Sequence, residues 1–388
     1  MFDWEKVCFS SGKKLRIKKF TEFNTISQKN TTNGVKFFDS YIKFFDLKIP
    51  VIYSKNEKDL KYIKESINNK LKYCELVRIE FNSGYDYYIK LVLDGDAPLK
   101  YNKGVGSSGI DPGVSTEAFV SDSCCILEEL APRCKDYNKE IAKLQKQIDK
   151  SIRDTNPNNF DSDGKYKKGR GKLIYTKHCK NLKRRVRVLY RKKTAYTKCT
   201  HLNLIHRMIQ NTDSIKTEDM NFKALAKRSS ELKRQDKKSK VQTKDGVKEI
   251  NKYKKKKRFG KSITDRSPGL LIQLLEAKCK QYDVEIQKID TKKVIASQYN
   301  HVTDSFEKKK LSERTKLIGD NIVQRDLYSG FVIKNVNEDL ISVNKSNMSK
   351  DFDKFLELEK EELIRIDKLN IKNTNFGTGT AGFKEIIA

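Results

Sequence analysis

The stretch from Gly109 to Thr116, Gly-Ile-Asp-Pro-Gly-Val-Ser-Thr, constrains the fold of this chain more than any other. Asp111 ends an apolar approach, a Pro-Gly pair follows, and residues Val114 to Val120 have the composition of a strand. Proline presets one backbone angle, and glycine lets a ligand approach the backbone. The pattern predicts a carboxylate presented at the centre of a sheet. Taken alone it is more often a surface turn, so the interpretation depends on two later carboxylates.

The charge of the chain is the second constraint. Its 388 residues include 82 Lys and Arg against 51 Asp and Glu, a formal net charge of +31. Residues 135 to 198 carry 21 basic and six acidic side chains, and residues 222 to 261 carry 17 and four. Charge concentrated in this way destabilises a compact fold unless a polyanion neutralises it. Nucleic acid is the expected partner, ahead of an anionic membrane surface.

The sequence lacks the features of membrane-spanning, secreted and zinc-binding proteins. No apolar run approaches the roughly 20 residues that span a bilayer, and the first residues do not resemble a secretory signal. We therefore expect a cytoplasmic, nucleic-acid-associated protein without a membrane partner. The eight cysteines form no C-x-x-C pair and the four histidines are scattered, so we expect free thiols and no structural zinc.

Residues 1 to 103 are predicted to form an antiparallel β-barrel that binds nucleic acid. Strand-like stretches occur at Lys14–Ile17, Leu47–Tyr53, Cys74–Phe81 and Tyr85–Leu93. The loop Asn82-Ser83-Gly84 suits a hairpin, and residues 55 to 69 suit a short inserted helix. Small barrels of this kind often bind oligonucleotides, although many basic β domains do not.

Residues 104 to 336 are predicted to form an α/β domain of the RNase H-like class. Strands are expected at 114–120 and 124–130, a basic helical hairpin at 135–210, and a strand ending at Glu218. The basic segment 222–261 has no clear periodicity and is expected to order on its partner. A helix opening at Pro268 and a strand near 284–289 follow, and Asp326 opens a late helix. Residues 337 to 388 are expected to be a tail with one helix and a mobile Gly/Thr-rich end.

Asp111, Glu218 and Asp326 converge at one edge of the sheet if this fold is correct. Three carboxylates there would form a hard-oxygen site suited to Mg²⁺ or Mn²⁺. Two such ions about 3.5–4 Å apart can activate a water and stabilise the leaving oxygen of a phosphodiester. Arg325 could hold the scissile phosphate, or equally could be a structural ion-pair partner. Nucleic-acid contacts are expected from ten basic residues: Lys183, Arg184, Arg185, Arg187, Arg191, Lys254, Lys255, Lys256, Lys257 and Arg258.

Three segments in this order resemble the split RuvC motifs of TnpB, the insertion-sequence-encoded RNA-guided nuclease related to type V CRISPR effectors. They are Gly-Ile-Asp-Pro-Gly, then Lys-Thr-Glu-Asp-Met-Asn, then Gln-Arg-Asp-Leu-Tyr-Ser-Gly-Phe-Val-Ile-Lys-Asn. The resemblance covers roughly residues 40 to 336, and its third motif is the most specific. It implies catalytic and metal-binding roles for Asp111, Glu218 and Asp326. It also implies an N-terminal wedge-type barrel that grips a guide RNA, with target DNA pairing along basic helices.

The chain departs from the family pattern in two respects, a short region before the first motif and the absence of a zinc ribbon. The family usually carries a four-cysteine zinc ribbon between the second and third motifs, but here no cysteine follows Cys279. The segment 300–324 is therefore expected to be held by packing. Three functions stay open: an RNA-guided, metal-dependent DNA endonuclease, an RNA-guided DNA-binding protein with weak or no cleavage, and a DNA transposase with its own acidic triad.

Overall fold

The structure is a computed structural model that divides into two units. Unit 1 comprises Met1–Lys100 and Leu144–Val188, and unit 2 comprises Tyr101–Lys143 and Leu189–Ala388. The residues that the structure describes are 23–27, 34–162, 164–167, 172–226, 234–243, 246–253, 259–308, 310 and 312–388. The strand expected at Lys14–Ile17 and the basic run Lys254 to Arg258 lie outside them.

Four short strands, two long strands and one helix are the regular elements in the described part of Met1–Lys100. The hairpin loop at residues 82–84 is present, with the Phe81 amide donating to the Gly84 carbonyl across 2.7 Å. Asn56 caps the helix, because its side chain accepts from the amides of Lys58 and Asp59. The elements are β1 (Thr25–Ser27), β2 (Val35–Phe38), β3 (Tyr41–Phe44), β4 (Leu47–Pro50), α1 (Glu57–Ile67), β5 (Lys70–Glu80) and β6 (Tyr85–Asp94).

The predicted barrel is not closed in this part of the chain. Strands β1, β5 and β6 form one antiparallel sheet, while β2, β3 and β4 form another. Two-residue turns pair β2 with β3 and β3 with β4, so these strands complete a small sheet among themselves. A barrel needs every strand paired on both sides, and the described strands leave four edges without a strand partner.

The first strands of unit 2 begin at Ser107. Strands β7 (Ser107–Pro112), β8 (Thr116–Ser121) and β9 (Cys125–Glu129) come first. The long helices α2 (Cys134–Thr155) and α3 (Lys177–Ile209) occupy the region of the predicted helical hairpin, and each runs across the boundary between the two units. Their arrangement along a duplex stays a prediction.

The segment from residue 214 to 289 supplies the remaining strands of the main sheet. The segment expected to lack regular structure holds a hairpin, β11 with β12, so that expectation is wrong for its described residues. Helix α6 begins at Pro268, as predicted. The elements are β10 (Ser214–Glu218), α4 (Phe222–Ala226), β11 (Arg234–Thr243), β12 (Gly246–Tyr253), α5 (Gly260–Arg266), α6 (Pro268–Tyr282) and β13 (Glu285–Ile289).

The main sheet is mixed, which confirms the α/β class. Its strand order is β13-β10-β7-β8-β9; β7, β8 and β9 are antiparallel neighbours, whereas β10 and β13 run parallel to β7. Both faces are covered, because alternate residues enter two different cores. Ala118, Val120 and Leu127 pack into one core, and Ile110 and Phe119 into the other.

Two small hairpins precede the late helix α7 (Arg325–Lys334). They are β14 (Tyr299–Asn300) with β15 (Ser305–Phe306), and β16 (Thr315–Ile318) with β17 (Asn321–Gln324). Buried polar contacts join these hairpins to each other and to α7. Lys316 of β16 donates to the Tyr299 carbonyl of β14 across 2.5 Å, and the His301 ring nitrogen lies 2.8 Å from the Tyr328 hydroxyl of α7. These contacts belong to the segment 300–324, which the sequence predicts to be held by packing.

The C-terminal tail differs from the prediction of one helix and a mobile end. It contains α8 (Lys345–Lys368) and α9 (Ala381–Ile387). Phe376 and Phe383 are buried in the same core as Phe331 of α7. Aromatic residues spaced through a polar sequence anchor the tail. The glycine and threonine content of the tail predicts a mobile end and gives no sign that these aromatic side chains are buried. None of the helices in the described residues is long and apolar enough to cross a membrane.

Candidate active site

Asp111 and Glu218 stand side by side on neighbouring strands. In the parallel pairing of β7 with β10, Gly109 lies opposite Lys216 and Ile110 opposite Thr217. The next position on each strand is therefore one of the two acids. Residues in register on adjacent strands point to the same face of a sheet. The pairing that forms the sheet thus brings together two carboxylates separated by more than 100 residues of chain.

Helix α7 lies directly on β7, and glycine makes this approach feasible. A Cβ atom added at Gly109 would lie 2.2 Å from the Gly330 carbonyl oxygen and 2.3 Å from the Lys334 amide nitrogen. Asp111 follows Gly109 by two residues, so its side chain emerges on the face that carries α7. The same helix begins at Arg325 and has Asp326 in its first turn, where an acidic side chain is stabilised by the helix dipole.

The buried position of Asp111 makes its charge costly. Burial raises the pKa of Asp111 well above its usual range, and the nearby carboxylates of Asp326 and Glu218 raise it further, against an opposing effect of Arg325. Burial also raises the pKa of Glu218, which makes no ion pair with the described residues. Asp111 therefore lies close enough to both of the other predicted acids to be affected by their charge, as convergence at one end of the sheet requires.

Asp326 has two arginine neighbours. The Arg325 guanidinium donates to Asp326 Oδ1 from Nη2 at 3.1 Å and from Nε at 3.3 Å, and Arg314 Nη1 lies 3.9 Å from Asp326 Oδ2. Arg325 also donates from Nη1 to the Glu313 carbonyl at 3.0 Å. Of the two roles left open for Arg325, the ion pair is present, and phosphate binding stays a prediction.

A cleft of about 630 Å³ opens beside these groups. Its wall includes two of the acids, Asp111 and Asp326, whereas Glu218 is not among the lining residues. Its basic side chains are those of Lys308, Arg314 and Arg325. The cleft therefore places acidic side chains beside basic ones that can bind the oxygens of a phosphodiester.

The fit of a divalent cation is mixed. The donor chemistry is suitable, since three carboxylates offer the hard oxygen atoms that Mg²⁺ and Mn²⁺ prefer. Among the described residues, however, no group of three or more His, Cys, Asp or Glu side chains is arranged to hold a metal ion. Asp111, Glu218 and Asp326 share one end of the sheet without forming a preassembled metal centre.

The basic residues of α3 that were predicted to contact nucleic acid differ in the groups they contact within the protein. Glu80 accepts two hydrogen bonds from Arg187, each 2.8 Å long, and its Oε1 also lies 3.3 Å from Arg184. Lys183 lies over the ring of Tyr175, with its nitrogen 3.3 Å from the ring centroid. Arg185 is exposed and Arg191 is half-buried. The sequence alone could not indicate that a strand residue, Glu80, engages two of these arginines.

Glu117 is a buried acid that sequence reasoning missed. It lies on β8 opposite Pro112, is 1% exposed, and neither of its carboxylate oxygens has a hydrogen-bond partner in the part of the chain that the structure describes. Burial raises its pKa well above the usual range, and the charge of Asp111 adds to the effect. A glutamate in an antiparallel strand is normally taken as facing solvent, so nothing in the sequence indicated a buried one.

Comparison with known proteins leaves the family open. No family model matches the chain, and no curated protein matches it. One similar solved structure is a cryo-EM structure of a Cas12f1-sgRNA-target DNA complex, with a TM-score of 0.42 and 13% identity over 80% of this chain. A second is a CRISPR-Cas12f ternary complex, with a TM-score of 0.33 and 14% identity over 87% of this chain. The chain spans 59% of the length of the first and 68% of the second.

Proposed function

We propose that this chain is an RNA-guided, divalent-metal-dependent DNA endonuclease of the TnpB type, with guide RNA and target DNA as its partners. One observation carries the proposal: Asp111 and Glu218 occupy matching positions on adjacent strands, while Asp326 begins a helix packed on the same strand. The sheet supports it as well, because three antiparallel strands followed by two parallel ones are the order expected of an RNase H-like core. The motif resemblance supplies the RNA-guided part of the proposal.

The residues of the cleft have distinct roles in this proposal. Asp111, Glu218 and Asp326 would hold the cations, which supply an activated water and stabilise the leaving oxygen. Lys308 and Arg314 line the same cleft and would neutralise the phosphate of the bound strand. Arg325 restrains the Asp326 carboxylate through its paired hydrogen bonds, so it acts as a positioning residue in the free protein.

A second function, RNA-guided DNA binding with weak or no cleavage, is favoured by a specific observation. Asp326 is neutralised by two arginines, and the described residues hold no ready group of three metal ligands. Cleavage then requires the carboxylates to approach one another when cation and substrate bind. If they cannot, the protein remains a binder that uses the same basic surfaces.

The experiment compares wild-type protein with Asp111→Ala and with a control, Asp320→Ala. Asp320 is an exposed turn residue of the same unit that makes no ion pair with the described residues. The protein is purified with its bound RNA, the RNA is sequenced, and matching double-stranded DNA is offered with Mg²⁺. We expect cleavage to fall on the order of 10²–10³-fold in Asp111→Ala, the usual cost of removing one transition-state stabilising group. Asp320→Ala should cut like wild type.

Each alternative has its own outcome in this experiment. Equal binding without cleavage in all three proteins would assign the second function. Equal cleavage by wild type and Asp111→Ala would remove Asp111 from the chemistry. Absence of any defined RNA would contradict RNA guidance and favour a transposase.

A further inference from the structure

The small sheet β2-β3-β4 carries three lysines in a row across its strands. Lys36 lies opposite Lys43, and Lys43 lies opposite Lys48 in the antiparallel pairings. Since paired residues point to the same face, the three ammonium groups project from one side of the sheet. All three side chains are exposed, and none forms an ion pair with a described residue.

This arrangement is unfavourable in the isolated protein. Like charges directly opposite each other on neighbouring strands destabilise a sheet, and strands lie only about 4.8 Å apart. Each turn of the sheet carries one carboxylate: Asp39 accepts from the Tyr53 hydroxyl at 2.8 Å, and neither Asp39 nor Asp46 forms an ion pair with a described residue. The row thus has no acidic partner in the described part of unit 1, and a polyanion is the partner that would relieve the repulsion.

Aromatic rings stand beside the lysine row on the same face. Phe38 and Tyr41 follow at alternate positions of β2 and β3, and they lie opposite each other in register. Their rings stack with centroids 4.7 Å apart and planes 11° apart, and the Lys48 nitrogen lies 4.1 Å from the Tyr41 ring centroid. Phe38 is 42% exposed although it is apolar. On the opposite face Ile42 is 3% exposed and packs inward, whereas Leu47 at the edge of the sheet is 60% exposed.

We propose that this face of the β2-β3-β4 sheet binds single-stranded RNA, with phosphates on the Lys36, Lys43 and Lys48 row and bases against Phe38 and Tyr41. An exposed ring stacked on a half-buried one, beside a row of cations, matches a strand whose bases are free to stack. A duplex would offer phosphates but no unpaired base to stack on the exposed Phe38 ring. RNA is the choice over DNA because unpaired bases in a cell are mostly those of RNA loops and ends. The proposal rests on the RNA-binding part of the proposed function and not on its nuclease part, because it involves none of the acids of unit 2.

The first test replaces the lysine row and a matched set of lysines. Full-length protein carrying Lys36→Ala, Lys43→Ala and Lys48→Ala is compared with protein carrying Lys58→Ala, Lys61→Ala and Lys64→Ala. The second set removes the same charge from exposed positions on α1 of the same unit. Binding of a fluorescent twelve-nucleotide oligouridine RNA is measured by anisotropy across a series of salt concentrations, in buffer with EDTA so that no metal-dependent cleavage occurs.

The lysine-row variant should lose about tenfold in affinity, and its slope of log affinity against log salt should flatten by about two, since each phosphate contact to a single strand contributes about 0.7. The α1 variant should stay close to wild type. Removing the repulsion should leave the melting temperature of the row variant equal to or above that of wild type, which shows that it folds. Equal losses in the two variants would overturn the assignment to this face.

A second arm tests the rings. Phe38→Leu and Tyr41→Leu keep apolar side chains but remove the stacking surface, so each should weaken RNA binding about tenfold. Tyr41→Phe keeps the ring and should bind like wild type. Unchanged binding by both leucine variants would overturn the stacking role, and tighter binding of the matching single-stranded DNA would overturn the choice of RNA.

Discussion

The main sheet of unit 2 and the β2-β3-β4 sheet of unit 1 both bring like charges together through strand register, but in opposite surroundings. Asp111 and Glu218 meet at the end of a sheet covered on both faces, where burial raises the pKa of each carboxyl. Lys36, Lys43 and Lys48 meet on an open face in contact with water. Burial favours neutralisation by a proton or a small cation, whereas exposure leaves room for a polymer of phosphates. The difference in surroundings, more than the charge itself, separates a candidate catalytic site from a candidate binding surface.

The close approach of β7 and α7 at Gly109 gives the largest expected effect on stability. In Gly109→Ala the new Cβ would meet backbone atoms of α7, which cannot rotate away. We expect the free energy of unfolding of unit 2 to fall by about 3 kcal/mol, the upper end for overpacking. Gly84→Ala adds a Cβ with nothing within 4 Å and should change stability by less than about 0.5 kcal/mol. Urea unfolding midpoints measure both; equal midpoints would contradict the close approach that buries Asp111.

Glu117 on β8 and Glu129 on the neighbouring strand β9 allow the pKa of a buried carboxyl that has no ion-pair partner among the described residues to be compared with that of a paired one. Burial raises the pKa of Glu117, so the stability that it contributes is present below its unfolded pKa of about 4.3 and is lost as pH rises through the folded value. Burial alone would raise the pKa of Glu129, but hydrogen bonds from Arg266 and Lys135 outweigh it and lower that pKa. Its contribution is present above about pH 4.3 and is lost as pH falls through the folded value.

The two substitutions should therefore act in opposite directions at high pH. Glu117→Gln should raise the melting temperature at pH 8 and change little at pH 4, because only the ionised form is penalised. Glu129→Gln should lower the melting temperature at pH 8, with the difference from wild type shrinking as the pH falls below about 4. Melting curves at both pH values decide the matter, and a loss of stability in Glu117→Gln at pH 8 would argue against an isolated buried carboxyl.

The smallest effect concerns two arginines on one exposed stretch of α3. Arg187 is engaged by Glu80, so Arg187→Ala should cost at most about 1 kcal/mol of stability and leave nucleic-acid affinity nearly unchanged. Arg185 is exposed, and Arg185→Ala should flatten the salt dependence of binding by about one. If Arg187→Ala weakened binding more than Arg185→Ala, the ion pair with Glu80 would have to open on the nucleic acid.

Local patterns in the sequence predicted the parts of the fold that depend on neighbours in the chain. The strands around Asp111, the strand ending at Glu218, the helix beginning at Pro268 and the helix containing Asp326 all follow from alternation, proline position and apolar spacing. The positions of the three acids at strand and helix ends were also visible. The sequence therefore gave enough to predict a carboxylate site before any register was known.

What the sequence could not give depends on contacts between distant segments. The described strands do not form a closed barrel, because turn patterns predict hairpins but do not determine which sheets close. The tail packs through Phe376 and Phe383, whose burial depends on a core formed mostly elsewhere. The Glu80 pairing with Arg187 and the isolation of Glu117 likewise arise from packing. The same is true of the arginines that neutralise Asp326, one of which, Arg314, lies on a different segment.

The most direct test of whether three acids distant in sequence act as one cation site is a titration of the protein with Mn²⁺, measured by calorimetry. Wild type and Glu218→Gln are compared, because Glu218 makes no ion pair with the described residues and its loss should leave the fold intact. We expect wild type to bind Mn²⁺ and the variant to bind it at least tenfold more weakly, as is typical when a metal site loses a supporting carboxylate. Identical binding by the two proteins, or none by either with substrate DNA present, would contradict this expectation.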